Sequence, residues 1–265
     1  MDLQLRGKTA FISGSTGGIG AAVARRLAAE GARVIVNGRS TEAVDDAIGG
    51  LRHIGPGADH DGIVADFADP ASVEGLLAEL ADVQVDILVN NVGQFGLADF
   101  ESISNDEWSN VLEVNLMSGV RLSRLALPGM LDRGWGRILF ISSESGVNIP
   151  ADMIHYGVTK AAMIALGNGL AKRTRGTAVT VNTILGGPTY SDGVATTIES
   201  IAADQAAPVD AVKASIIGRN TTTLLERFIE PEEIASLAAY LASPMASATN
   251  GAALRADGGV LTGML

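Results

Sequence analysis

Tyr156 and Lys160 stand four residues apart in Tyr156-Gly157-Val158-Thr159-Lys160. On a helix that spacing puts both side chains on one face, with their polar ends within several ångströms of each other. A phenol of pKa about 10 is mostly neutral at pH 7 and is a poor base there. An ammonium about 4 Å away, at an effective dielectric of 20, stabilises the phenolate by about 4 kcal/mol, or about three pKa units. The pair is therefore expected to exchange a proton near neutral pH. Ser143 closes the apolar run Arg137 to Ser143 and can give or take a hydrogen bond at a strand end. Ser142 points to the other face and is the alternative. Asn115, in Glu113-Val114-Asn115-Leu116, is an amide inside an apolar helix and is costly there unless paired.

A second group is the glycine-rich stretch Ser13-Gly14-Ser15-Thr16-Gly17-Gly18-Ile19-Gly20. It follows the apolar run Thr9 to Ser13 and precedes Ile19, Val23 and Leu27 at i, i+4, i+8. A glycine turn between strand and helix lets backbone approach a pyrophosphate, and the helix N-terminus offers unpaired N–H groups and a partial positive charge. A tight turn that binds nothing is the alternative.

The elements that must position these groups alternate regularly. Arg33 to Asn37 completes a βαβ unit whose crossover is expected to be right-handed and its strands parallel. Further strands are expected at Gly62 to Asp66, Asp86 to Asn91, Arg137 to Ser143, Ala178 to Leu185 and Ala252 to Ala256. Ser104 with Glu107 forms a capping box before a helix reaching about Leu131, late in which Pro128 is expected to kink or end it. Pro231 with Glu232 and Glu233 opens another. The expectation is an α/β, doubly wound Rossmann fold: a single seven-stranded parallel sheet with helices on both faces, residues 1–265 forming one domain. The least regular stretch, about 186–220, is expected to be a mobile substrate lid.

Composition bounds the function. The chain has 265 residues, 47% hydrophobic, and its 32 glycines follow no period, which excludes disorder and collagen. A net charge of -11 opposes a nucleic-acid partner, and no long apolar run or signal-like N-terminus points to a membrane. The absence of cysteine excludes a disulfide framework and a thiol nucleophile and fits the cytoplasm. The three histidines are scattered, so no metal site is expected.

The spacing G-x-x-x-G-x-G, in its place after the first strand, resembles the classical short-chain dehydrogenase/reductase family, whose motif reads T-G-x-x-x-G-x-G; Ser13 replaces the Thr. The resemblance continues through Asp66, Asn90-Asn91-Val92-Gly93 (N-N-A-G in the family), Asn115, Ser143, the Y-x-x-x-K of Tyr156 and Lys160, and Asp257-Gly258-Gly259. The interval between Ser143 and Tyr156 also favours Ser143 over Ser142. The whole is similar to the branch containing 3-oxoacyl-[acyl-carrier-protein] reductases.

That resemblance implies hydride transfer between a nicotinamide and a small carbonyl or secondary-alcohol substrate, Tyr156 moving the proton. Ser143 would hold the substrate oxygen, Lys160 the tyrosinate and the nicotinamide ribose, and Asn115 a water leading to Lys160. Contacts to the dinucleotide are implied at Gly14, Ser15, Thr16, Gly18, Ile19, Gly20, Arg39, Asp66, Asn91 and Gly93, with Tyr156 and Lys160. Gly186-Gly187 stands where the family has Pro-Gly, which should loosen that turn, and the bond to the nicotinamide amide passes to Thr189 or Ser191. Gly38 occupies the position where NAD-preferring members carry Asp, and Arg39 follows it, so NADP(H) is favoured over NAD(H), and Gly38→Asp should favour NADH. Small residues nearly all round Ile154 to Arg173 suggest a homotetramer, since the family commonly pairs through that helix. A dinucleotide-binding sensor or scaffold without turnover is the alternative function.

Overall fold

The computed structural model describes residues 2–55, 59–219 and 222–264. Seven parallel strands, β1 (Thr9–Ile12), β2 (Arg33–Gly38), β3 (Asp61–Val64), β4 (Ile87–Asn90), β5 (Trp135–Ser143), β6 (Ala178–Gly186) and β7 (Ala253–Ala256), form one sheet in the order β3-β2-β1-β4-β5-β6-β7. Chain order reverses between β1 and β4, so a crevice opens there beyond the C-terminal strand ends. Each strand matches an expected run to within two residues.

Both faces of the five central strands are buried, and side chains alternate between them. Ala10 and Ile12 join one core cluster with α1 (Gly18–Ala29), α2 (Thr41–Leu51) and α9 (Pro231–Ala242), while Phe11 joins the other. Leu139 and Ile141 likewise separate from Ile138 and Phe140. The second cluster rests on α3 (Pro70–Ala81), α5 (Ser118–Asp132) and α6 (Ile154–Ala171). Strands covered on both sides read as continuous apolar runs, which is why the sequence locates them well.

The helix expected from Ser104 is interrupted. The Ser104 and Glu107 capping box opens α4 (Asn105–Leu112), one π-helical turn follows at Glu113–Met117, and α5 continues to Asp132 with Pro128 inside it. Pro128 therefore does not end the helix. The stretch expected to be irregular also differs: it contains α7 (Asp192–Asp204) and α8 (Val209–Arg219), packed through Ile198, Ala202 and Val212. Asn220, the last residue of that expected lid, lies outside the described residues. Among the described residues no helix is long and apolar enough to cross a membrane.

Candidate active site

The C-terminal end of β5 and the first turns of α6 bring the proton-transfer group together. Ser142 and Ser143 diverge as pleating requires. Ser142 Oγ donates to the carbonyl of Lys160 at 2.9 Å, so it anchors α6 and the alternative assignment falls away. Ser143 Oγ accepts from the Ser145 amide at 3.1 Å, donates to Glu144 Oε2 at 2.9 Å, and also acts as hydrogen-bond partner to Tyr156. Lys160 is buried; its Nζ donates to the carbonyl of Ile141 at 2.9 Å and lies 5.5 Å from the centre of the Tyr156 ring.

The electrostatics depart from the sequence expectation. Burial pushes the Tyr156 phenol up to about 12, against the pull of the Ser143 hydrogen bond and with a further push from Glu144. Burial also depresses Lys160 to about 8. The simple Coulomb argument counts the ammonium and omits the removal of both groups from water, and here the second effect wins. Tyr156 is consequently held as a neutral acid. Glu144, half-buried, is raised above the usual carboxylate range by burial, partly offset by its hydrogen bonds to Ser145 and Ser143.

Asn115 sits in the π-helical turn, fully buried and fully paired. Its Oδ1 accepts from the Gln94 amide at 2.8 Å, and its Nδ2 donates to the Gln94 carbonyl at 2.9 Å and to Thr159 Oγ1 at 3.0 Å. Thr159, a mere spacer in the sequence motif, donates in turn to the Tyr156 carbonyl at 2.7 Å. Asn115 thus fixes the loop after β4 to the helix bearing Tyr156. A Cβ built on Gly93 would lie 3.3 Å from Lys160 Nζ and 3.5 Å from Asn115 Oδ1, so the glycine keeps this corner open.

The glycine turn presents backbone rather than side chains at the start of α1. Gly14 and Gly18 have φ of +61° and +53°, where a side chain is disfavoured, and a Cβ on Gly20 would collide with the Gly14 carbonyl and lie 2.5 Å from Asn91 Nδ2. Such a glycine cradle at the start of α1, beside the sheet's reversal point, fits a pyrophosphate that takes the place of the Asp192 carboxylate on the Gly18 amide. Its frame is a buried network: Asn37 Oδ1 accepts from the Gly14 amide at 2.9 Å, and Asn91 Nδ2 donates to the carbonyls of Ser13 and Gly14 at 3.0 and 2.9 Å. Asn37, noticed in the sequence only as strand, is one residue that reading missed. A buried amide in an apolar strand was the available signal.

The remaining expected contacts divide. Ser15 is buried, donating to the Ile12 carbonyl at 2.8 Å and accepting from the Asn37 amide at 3.0 Å, so its hydroxyl serves the turn itself. Ile19 packs against the core with its side chain. Asp66 Oδ1 accepts from the Ala68 amide at 2.9 Å beyond the end of β3. Arg39 is exposed past β2 and enters no ion pair among the described residues. Thr16 lies directly over Gly38: a Cβ there would collide with the Thr16 methyl and meet Thr16 Oγ1 and Val44 Cγ2 at 3.2 Å each. The expected switch by Gly38→Asp alone therefore meets a steric obstacle.

At the end of β6 the looseness expected from Gly186 is absent, because Gly186 pairs in register with Ser143 on one side and Ala256 on the other. Thr189 Oγ1 turns back to the Gly187 carbonyl at 2.9 Å, whereas Ser191 Cβ lies 3.3 Å from a Cβ built on Gly18. Of the two candidates, Ser191 is the one beside the cradle. Asp192, unmarked in the sequence, accepts from the Gly18 amide through Oδ2 at 2.8 Å.

Comparison with known proteins agrees with this geometry. The short chain dehydrogenase family matches residues 8–201. The chain is 44% identical over 265 residues to the uncharacterized oxidoreductase YvrD of Bacillus subtilis, covering 98% of this chain and 99% of that protein. It is 34% identical over 258 residues to D-beta-hydroxybutyrate dehydrogenase of Cupriavidus necator, covering 97% and 98%. The crystal structure of L-sorbose reductase from Gluconobacter frateurii, complexed with NADPH and L-sorbose, superposes with a TM-score of 0.93 at 29% identity over all of both chains. None of this favours a sensor without turnover; the chain belongs to the short chain dehydrogenase family and is an NAD(P)-dependent oxidoreductase of carbonyl and alcohol groups.

Proposed function

We propose that the chain is an NADP(H)-preferring carbonyl reductase or alcohol dehydrogenase in which Tyr156 carries the proton. The observation behind this reading is the meeting of Tyr156, Ser143 and Lys160 beside the glycine cradle. A bound nicotinamide supplies or takes the hydride at the carbonyl carbon. The Tyr156 hydroxyl, kept neutral by burial, gives its proton to the substrate oxygen during reduction. Ser143 holds that oxygen, Lys160 stabilises the phenolate left behind, and Asn115 keeps the loop after β4 in place. Tyr156→Phe removes the acid without altering the cradle. Turnover of a carbonyl substrate should fall roughly 10²- to 10⁴-fold while dinucleotide affinity persists. Retention of more than a tenth of the wild-type rate would exclude Tyr156 as the acid.

The exposed Arg39 side chain just past β2 supports the cofactor preference, since a guanidinium there suits a charge-assisted contact to a 2′-phosphate. Such a bond is worth about 1.5–3 kcal/mol, so Arg39→Ala should weaken NADPH about 10- to 150-fold and leave NADH nearly unchanged, measured by nicotinamide fluorescence. Equal weakening of both dinucleotides would assign Arg39 another role. The whole chain then acts as one catalytic domain, with 186–220 as its substrate lid. Ala165 and Gly169, exposed on α6, leave a small flat surface for pairing into a homotetramer. A chain without cysteine suits the reducing cytoplasm.

A further inference from the structure

We propose that the substrate is an uncharged carbonyl compound with an apolar body, rather than a sugar, a polyol or a keto acid; this rests on the carbonyl chemistry argued above. A cavity of about 500 Å³ lies between the loop after β4, the start of α6 and the two lid helices. That volume is in the range that holds a small organic ligand. Phe95 lines it and meets the Tyr156 ring edge-on, with centres 6.3 Å apart, so the Phe95 end of the cavity stands one side chain away from the proton donor. Leu97, Met153, Val194, Ile198 and Phe228 continue the wall.

The polar groups of the lining are outnumbered by the apolar ones, and each bonds within its own helix or reaches solvent. Thr197 Oγ1 is spent on the Gly193 carbonyl at 2.9 Å, and Gln205, Ser215 and Arg219 are exposed. A substrate carrying several hydroxyls would bury them here without partners, which is costly. Phe95 and Leu97 are 46% and 64% exposed, apolar surface that an apolar body would cover. At the catalytic end the neighbouring acid is Glu144, bonded to Ser143, and its charge opposes a carboxylate placed beside the reacting carbonyl. Arg219, the one cation of the lining among the described residues, is a solvent-exposed side chain at the end of α8.

The test compares α-tetralone, acetoacetate and L-sorbose as substrates of the purified protein with NADPH and with NADH, alongside saturation-transfer NMR of α-tetralone on the free protein. We expect kcat/KM for α-tetralone at least tenfold above the other two, and NMR binding that Val194→Asp weakens at least tenfold while NADPH affinity, a check on folding, is retained. Preference for acetoacetate or L-sorbose overturns the inference and leaves the oxidoreductase reading intact. If no carbonyl compound is turned over, the activity reading fails instead. The NMR arm still decides the cavity: binding that Val194→Asp removes supports it, and no binding overturns it.

Discussion

The cradle at the start of α1 and the helical pair α7 and α8, proposed above as the lid, meet through Asp192 and Gly18 but are held by different forces. In the cradle, polar groups interlock across the ends of four strands, β1 to β4: Asn37 on β2 ties Gly14 to the carbonyls of Ile63 and Ala65, and Asn91 after β4 ties Ser13. In the lid, Thr196 and Thr197 bond carbonyls one turn back in their own helix, and the described core cluster has only three buried residues, Ile198, Ala202 and Val212. The first arrangement presents a rigid mould whose order is settled at folding. The second can part from the body at small cost, which suits a segment that admits substrate.

Breaking each side should give unequal results. In the cradle, Gly20→Ala forces a methyl against the Gly14 carbonyl and Asn91. Dinucleotide affinity should fall at least 100-fold, with stability lowered by about 2 kcal/mol or more, as read by fluorescence titration and denaturant unfolding. In the lid, a Cβ on Gly193 meets nothing within 4 Å. Gly193→Ala should leave affinity unchanged and raise stability by about 0.4–1 kcal/mol. Equal losses at the two glycines would erase the contrast.

Tyr156 stands between the two regions and reports on how dry the crevice is. Its phenol, pushed up to about 12, favours the neutral form in the folded state. The corresponding contribution to stability is complete below pH 10 and is lost as the pH rises from about 10 to 12. In the absorbance difference between wild type and Tyr156→Phe at 295 nm, about a tenth of the phenol should be ionised at pH 11, where an ordinary tyrosine is about nine-tenths ionised. A midpoint at or below pH 10 would show a wet site.

The smallest effect concerns the polar contact that joins the regions. Asp192→Asn weakens the bond from the Gly18 amide to the lid. Since the contact is exposed, amide exchange in α7 of the free protein should quicken only about threefold to tenfold, with β1 and β2 unaffected. Unchanged exchange in α7 would show that apolar packing alone holds the lid.

The strands, the glycine turn and the meeting of Tyr156 with Lys160 were legible in the sequence because each depends on local pattern: apolar runs, glycine spacing, a helical i, i+4 interval. What escaped depends on contacts distant in the chain. Ser15 lies in the glycine motif, yet its orientation is decided by Asn37 and Ile12. Asp192 meets Gly18 across 174 residues. The acidity of Tyr156 is fixed by how much water the folded crevice excludes, which the interval between Tyr156 and Lys160 does not encode. The lid helices were missed for another reason: their Ala, Thr and Ser content lacks a strong stripe, and their apolar side chains, such as Val194 and Ile198, serve a cavity as well as a core.

The placement of Thr16 over Gly38 also sets the order in which substitutions can accumulate at this site. The clash is with the free end of a side chain, so it is relieved by turning or shortening Thr16, within the room that Val44 leaves. A carboxylate at position 38 is therefore admitted most readily once position 16 has become smaller. A lineage changing its dinucleotide gains by altering the glycine turn first, whereas the reverse order makes Thr16 give way at the end of β2.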